Sequence, residues 1–122
     1  MVLADPLLEW PSKRPLGDPL RPAPMFPDTG LLAHWGLRLD APDRRGFAPR
    51  ALAGEMVVTA SPGRLRGSCR ISSDGFVADC RVGSGRAIII ADADFLNVGA
   101  LPAASEHNLD ALLAELAKLE SP

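Results

Sequence analysis

The sequence predicts a three-layer α/β domain, in which helices cover both faces of a β-sheet. Residues 87–91 (Ala-Ile-Ile-Ile-Ala) are apolar on both faces, which is typical of a strand covered on two sides in a mostly parallel sheet. Two aspartates, Asp92 and Asp94, follow this strand at the sheet edge where such folds gather ligands. Residues 105–119 carry leucines at helical spacing, which predicts a C-terminal amphipathic helix packed on the sheet.

The length and charge of the chain limit its organisation and its partners. Its 122 residues are enough for one core, so we expect residues 1–122 to form a single domain. With 13 basic and 15 acidic residues, and no aromatic residues interleaved with the arginines of the middle segment, we expect no nucleic-acid partner. No run reaches the roughly 20 apolar residues of a membrane-spanning helix. Residues 1–6 do not resemble a signal peptide, so the localisation stays open.

The N-terminal segment is predicted to contain one short strand and one long loop. Residues 2–4 are expected to end a buried strand, and because no strand or helix precedes them, we expect the N-terminal part of the domain to be absent. Residues 6–27 contain seven of the twelve prolines, which exclude a regular helix or a central strand. Apolar residues such as Trp10 and Phe26 predict an ordered loop over the core, with a lid or a partner surface as the alternative.

The middle of the chain is predicted to form a short helix and two strands. Asp28 is expected to cap the helix, and Gly36 to end it. The strands are expected at residues 37–39 and 56–60. The predicted apolar face of the helix consists of Leu31, Leu32 and Trp35.

A β-hairpin is predicted around Asp74-Gly75, the favoured pair of a type I′ turn. This turn places Arg70 opposite Asp79 as a charge pair, and Cys69 opposite Cys80 on the inward face. A disulfide is compatible with that position, but two buried thiols acting as small hydrophobic residues are the simpler interpretation.

The C-terminal helix is expected to begin at a Ser105 cap and to bury a leucine stripe. The predicted inward residues are Leu109, Leu112, Leu113, Leu116 and Leu119, and the predicted solvent-facing residues are Glu106, Asp110, Glu115 and Lys118. His107 and Asn108 lie in the first turn, from which they are expected to face the loop after the central strand.

Polar residues at the end of the central strand form the candidate ligand- or partner-binding site. They are Asp92, Asp94, Asn97, His107 and Asn108. An aspartate at a strand end usually accepts hydrogen bonds from the backbone of its own turn, so a structural role is the favoured interpretation. Binding of a small polar ligand or a partner chain is the second interpretation. We predict no catalytic residue, no metal ligand and no cofactor.

A metal-dependent hydrolase is the third interpretation of the same residues. An apolar strand that ends in Asp-x-Asp resembles the first motif of haloacid-dehalogenase-type phosphatases. That resemblance implies that Asp92 is a nucleophile, that Asp94 is a general acid, and that Mg²⁺ lies nearby. Phe95-Leu96 replaces the expected Gly-Thr, and Lys118 is the only lysine that follows.

Four segments together resemble the later half of the GldG-like auxiliary domain of uncharacterised ABC-type transport systems. They are residues 2–6 (Val-Leu-Ala-Asp-Pro), 31–36 (Leu-Leu-Ala-His-Trp-Gly), 85–97 (from Gly-Arg-Ala to Phe-Leu-Asn) and 108–113 (Asn-Leu-Asp-Ala-Leu-Leu). The resemblance implies a flavodoxin-like sandwich similar to class I glutamine amidotransferases, with a preceding βαβ portion. It also implies transporter subunits as partners and an extracytoplasmic, membrane-associated location as part of a longer protein. It supplies no active-site residues.

The two cysteines do not meet the requirements of amidotransferase chemistry. It needs a nucleophilic cysteine on a tight glycine-flanked elbow between a strand and a helix. Cys69 and Cys80 both lie in predicted hairpin strands, so neither residue meets this requirement.

The sequence therefore predicts a non-catalytic binding or scaffolding module of an ABC-type transport assembly. Its predicted partners are transporter subunits or the N-terminal portion of its own domain, and an exposed sheet edge would allow homo-oligomers. The alternative is a phosphatase-like hydrolase that uses Asp92 and Asp94.

Overall fold

Short β-strands make up most of the regular structure in the computed structural model, which describes residues 1–9, 13–15, 17–21, 23 and 25–120. The strands are β1 (Val2–Leu3), β2 (Leu37–Asp40), β3 (Phe47–Leu52), β4 (Glu55–Ala60), β5 (Arg64–Gly67), β6 (Arg70–Ile71), β7 (Val77–Val82) and β8 (Gly85–Ile90). The helices are α1 (Leu31–His34) and α2 (Asn108–Glu120). Three 3₁₀ segments, Asp94–Leu96, Val98–Ala100 and Ala103–His107, connect β8 to α2.

The main sheet has four strands in the order β1-β8-β7-β6. Only β1 and β8 run parallel in the described sheets, and every other strand pair is antiparallel. Two further sheets pair β2 with β5 and β3 with β4. The predicted three-layer, flavodoxin-like α/β sandwich is therefore wrong, because that fold requires a mostly parallel sheet with helical crossovers.

The burial that suggested a parallel sheet has a different cause. Ile88, Ile89 and Ile90 are fully buried because β8 lies between β1 and β7 and is covered by residues from several other elements. Two-sided burial depends on what covers a strand, and it does not reveal the direction of the neighbouring strands. The core around β8 includes Leu32 of α1, Leu37 of β2, Val57 of β4, Leu65 of β5 and Ala111 of α2.

The predicted hairpin register is confirmed, and the predicted turn type is wrong. Arg70 pairs with Asp79, as expected from the alternation. The amide of Gly75 donates to the carbonyl of Ser72 at 2.9 Å, and Gly75 has a positive φ of 72° whereas Asp74 does not. A type I′ turn needs positive φ at both central residues. The register is preserved because the alternating strands, rather than the turn type, fix it.

The two hairpin side-chain pairs differ from the predictions. Cys69 and Cys80 form a disulfide, so the interpretation as free thiols is wrong. Their Cα atoms are 4.9 Å apart, within the range that a disulfide spans. Asp79 forms its ion pair with Arg86 of β8 instead of Arg70, since the guanidinium of Arg86 is held at 2.5–2.8 Å from both carboxylate oxygens.

The inward face of α2 is rotated relative to the predicted leucine stripe. Leu109 and Leu113 are 43% and 62% exposed, and Glu115, which was predicted to face solvent, is buried. The buried residues Asn108, Ala111 and Glu115 follow helical spacing instead. The cause is Asn108, whose side chain is anchored on β4 and thereby fixes the rotation of the helix. The predicted Ser105 cap is also wrong, because Ser105 lies in a 3₁₀ segment without a side-chain cap.

The earlier segments agree with the predictions in part. Strands β3 and β5 were not predicted, and α1 begins at Leu31 after Gly30, so Asp28 is not its immediate cap. Asp28 instead accepts from the Gly30 amide at 2.9 Å. Phe26 packs on the core as expected for an ordered loop, whereas Trp10 lies outside the described residues. No helix in the described part of the chain is long and apolar enough to cross a membrane.

Candidate functional site

Three aspartates meet where β1 and β8 end. The parallel register pairs Leu3 with Ile90, and each strand then continues into an Ala-Asp dipeptide that ends in Asp5 or Asp92. Equivalent positions of neighbouring parallel strands lie at the same sheet edge. Asp94 joins them as the first residue of the 3₁₀ segment after β8. We call Asp5, Asp92 and Asp94 the aspartate cluster.

The aspartate cluster is buried and tightly spaced. Asp5, Asp92 and Asp94 are 3%, 0% and 4% exposed. One carboxylate oxygen of each residue lies within 4.8 Å of those of the other two. Three ionised carboxylates at this spacing and burial would repel one another strongly, so the cluster needs either a shared proton or a cation to offset this repulsion.

Backbone amides hold the first two carboxyl groups. Asp5 accepts from the amides of Leu7 and Ala93, each at 2.9 Å. Asp92 accepts from the amide of Ala60 at 3.1 Å and from the amide of Asp94 at 3.2 Å. Through these hydrogen bonds, the ends of β1, β4 and β8 are connected at the aspartate cluster.

Asp94 connects the aspartate cluster to the segment that follows β1. Its carboxylate accepts from the amide of Glu9 at 2.7 Å. The Glu9 side chain in turn bonds Arg45 through both oxygens, at 3.1 and 3.0 Å, and accepts from the Ser61 hydroxyl at 2.6 Å. Arg45, followed by Ser61, lowers the pKa of Glu9 through these hydrogen bonds. The segment around Glu9 is therefore held over the cluster by charged and polar contacts.

The protonation of the aspartate cluster is set chiefly at Asp92. Burial, a hydrogen bond with Asp5 and the charge of Asp5 raise the pKa of Asp92 to about 8. Asp92 therefore carries a proton at neutral pH and donates it toward Asp5. Burial, and then the charges of Asp5 and Glu9, also raise the pKa of Asp94, although the Glu9 amide opposes that increase.

Asn108 is structural, although it was predicted as a binding candidate. Its side chain is fully buried, and its amide mimics a backbone peptide on the outer edge of β4. The oxygen accepts from the Val58 amide at 3.0 Å, and the nitrogen donates to the Val58 carbonyl at 2.8 Å and to the Phe95 carbonyl at 2.9 Å. Asn108 thus connects β4, α2 and the 3₁₀ segment that contains Asp94.

The other two predicted candidates are not brought into the aspartate cluster. Asn97 is half-buried, and its backbone amide closes the 3₁₀ turn by donating to the Asp94 carbonyl at 2.9 Å. The side chain of His107 is 69% exposed, and its ring lies 3.5 Å from Glu106. The prediction that His107 faces the loop after β8 has no support from these contacts.

The chemistry open to the aspartate cluster follows from its surroundings. Carboxylate oxygens are the ligands that Mg²⁺ and Ca²⁺ prefer, and the spacing allows one oxygen from each aspartate to reach a shared ion. Five backbone amides, however, donate into the same cluster. These donors occupy carboxylate lone pairs that a divalent cation would need. Burial and the neighbouring charges, which raise the pKa of Asp92, favour a shared proton instead.

Sequence reasoning missed Asp5, which is central to this arrangement. The signal was present, because Leu3-Ala4-Asp5 repeats the pattern of Ile90-Ala91-Asp92. Two apolar strands that both end in Ala-Asp predict neighbouring carboxylates if the strands are parallel and adjacent. The contacts of Glu9 with Arg45 and Ser61 span 36 and 52 residues, and no local pattern predicts them.

Comparison of the chain with protein-family models, with curated proteins and with solved structures found no match.

Proposed function

We propose that this chain is a non-catalytic binding or scaffolding domain whose aspartate cluster is a structural element. The observation that carries the proposal is the complete burial of Asp92, with both carboxyl oxygens occupied by backbone amides. A group that holds β4 and β8 together in this way is not available to a substrate. Binding would then use the surface of the domain rather than this sheet edge.

The hydrolase alternative requires two properties that disagree with this environment. A nucleophilic aspartate must reach the substrate, and it must be ionised at the working pH. Asp92 is fully buried, and the raised pKa keeps its carboxyl group protonated near neutral pH. Asp94, the predicted general acid, is buried as well and accepts from the Glu9 amide.

Association with an ABC-type transport system stays a prediction of the sequence resemblance. The flavodoxin-like fold that the resemblance implies is not the fold described above, and the described contacts add nothing to the transport role. The genes beside that of this chain would test this part of the proposal: we expect them to encode a permease and an ATPase subunit that co-purify with the chain, and their absence would contradict the transport role.

A phosphatase assay tests the non-catalytic part. We expect no hydrolysis of p-nitrophenyl phosphate above the buffer rate by the wild-type protein, with or without millimolar Mg²⁺. The matched variant is Asp92→Asn, with retention of the fold checked by circular dichroism. Mg²⁺-dependent hydrolysis that disappears in a folded Asp92→Asn protein would establish the hydrolase alternative instead.

A further inference from the structure

Three arginines surround a surface cavity on the main sheet, away from the aspartate cluster. The cavity has a volume of about 620 Å³, within the range of small-molecule sites. Arg70 of β6, Arg81 of β7 and Arg86 of β8 line it, so each of three adjacent strands contributes one guanidinium. Ser68 and Ser84 add hydroxyl groups to the lining.

The positive charge of this cavity is only partly neutralised. Asp79 is the single carboxylate in the lining, and Arg86 engages both of its oxygens. This ion pair lowers the pKa of Asp79, so the carboxylate stays ionised. Arg70 and Arg81 are exposed, and neither makes a hydrogen bond or an ion pair within the described part of the chain. Two positive charges therefore remain in excess.

Arg81 lies beside Arg86 without a carboxylate of its own in the cavity lining. The two residues are direct cross-strand partners in the register of β7 and β8, and like charges directly opposite each other destabilise a sheet. Asp79 offsets the charge of Arg86, so the charge of Arg81 is the one left uncompensated in this pair. A ligand anion at this position would offset that charge and accept from the donors of Arg81.

The backbone that presents the arginines is held in place. Arg70 follows Cys69 and Arg81 follows Cys80, so the disulfide fixes the two strands at the positions next to both residues. Arg86 is fixed by Asp79 and also donates to the Lys118 carbonyl at 2.9 Å. Of the three guanidinium groups, that of Arg86 is held by hydrogen bonds, and a fixed donor binds an oxyanion at a lower entropic cost. The side chains of Arg70 and Arg81 would be ordered by the anion itself.

We propose that this arginine cavity binds a small phosphate-bearing anion. Guanidinium groups match the geometry of phosphate oxygens and donate to them in pairs, and the cavity is larger than a single phosphate group. The inference rests on the proposed binding function and gives it a ligand class. The phosphate group can belong to a free metabolite or to a lipid headgroup.

Calorimetric titration with inorganic pyrophosphate tests the proposal in the intact, oxidised protein at low ionic strength. We expect saturable binding by the wild type and at least a tenfold weaker affinity in the double variant Arg70→Gln/Arg81→Gln. Arg44→Gln is the matched control, because Arg44 is an exposed arginine outside the cavity lining, and it should bind like the wild type. Vesicles of phosphatidylcholine with and without phosphatidic acid distinguish a lipid headgroup from a free phosphate.

Two results would overturn the proposal. One is the absence of saturable binding to both pyrophosphate and the phosphatidic acid vesicles. The other is an equal loss of affinity in Arg44→Gln, which would indicate non-specific charge attraction. Both leave the non-catalytic proposal standing, because the phosphatase assay tests that proposal separately.

Discussion

At Asp92 the interior of the protein favours the neutral carboxyl group. Its pKa is raised from an ordinary value near 4 to about 8, so the folded protein binds more protons than the unfolded chain between these two values. The stabilisation is fully present below about pH 4 and is lost as the pH rises through about 8. We therefore predict that the free energy of unfolding falls by on the order of 4 kcal/mol between about pH 5 and about pH 9.

Urea unfolding of the wild type and of Asp92→Asn at several pH values measures this effect. Asparagine is neutral at every pH, so the variant should lose most of the pH dependence. Its amide nitrogen cannot accept from the amide of Ala60 or Asp94, so we also expect a loss of stability that is the same at every pH. Asp43→Asn, at an exposed turn position, is the control and should follow the wild-type curve. An unchanged pH dependence in Asp92→Asn would show that another group is responsible.

Asn108 is the second residue whose removal should be costly. Asn108→Ala leaves the amide and carbonyl of Val58 and the carbonyl of Phe95 without their side-chain partner in a buried region. We predict a loss of about 2–4 kcal/mol in the free energy of unfolding, measured by urea denaturation. Asn97→Ala, at a half-buried position, should cost less than half as much. Equal losses in the free energy of unfolding of the two variants would show that the buried hydrogen bonds of Asn108 make no larger contribution than the side chain of Asn97.

Among the elements, the disulfide between Cys69, directly before β6, and Cys80 of β7 gives the clearest prediction. Cys69 and Cys80 are separated by 11 residues, and closing a loop of this size stabilises a fold by about 3 kcal/mol in the chain-entropy account. Cys69→Ser/Cys80→Ser should therefore lower the free energy of unfolding by about that amount. The wild type should lose the same amount in reductant, whereas the variant should be insensitive to reductant. A wild type that is equally stable with and without reductant would show that the disulfide does not stabilise the fold.

Elements with a regular local pattern could be predicted from the sequence, and their neighbours could not. The buried run 87–91, the strand at 56–60 and the hairpin register follow from alternation and turn residues. Strand β3 was not predicted, and it contains Pro49, a residue that is rare in strands. Proline is tolerated there because Pro49 pairs with Val58, whose amide and carbonyl bond the Asn108 side chain rather than β3.

The rotation of α2 shows why burial patterns need tertiary information. A leucine stripe favours one rotation, but Leu109 and Leu113 are exposed because the buried amide of Asn108 is anchored on the edge of β4. The three hydrogen bonds of Asn108 in the interior stabilise the fold by more than full burial of Leu109 and Leu113 would add. Both leucines already keep part of their surface in contact with the protein. The spacing of the leucines alone does not show that a buried asparagine sets the rotation of the helix.

For the whole molecule, the fold class was the prediction that failed, and the candidate site was predicted in part. Asp92 and Asp94 lie together at the strand end as expected, and Asp5 completes the cluster because β1 is parallel to β8. The pairs β3–β4, β6–β7 and β7–β8 are antiparallel because hairpins, rather than helical crossovers, connect their strands. Fold class depends on these long-range connections, and one apolar strand does not determine them.

The proposed proton-sharing aspartate cluster and a cation site differ in one measurable property. In either case the carboxylates of the cation-free protein repel one another, so stabilisation of the fold by Asp94→Asn alone does not distinguish the two. The decisive quantity is the dependence of stability on Mg²⁺, because a ligand stabilises only the state that binds it.

Thermal melts of the wild type and of Asp94→Asn, each with and without millimolar Mg²⁺ at constant ionic strength, measure that dependence directly. If the aspartate cluster shares a proton and binds no cation, Mg²⁺ should change the Tm of both proteins by the same small amount. A marked rise in the wild-type Tm that vanishes in Asp94→Asn would contradict this expectation.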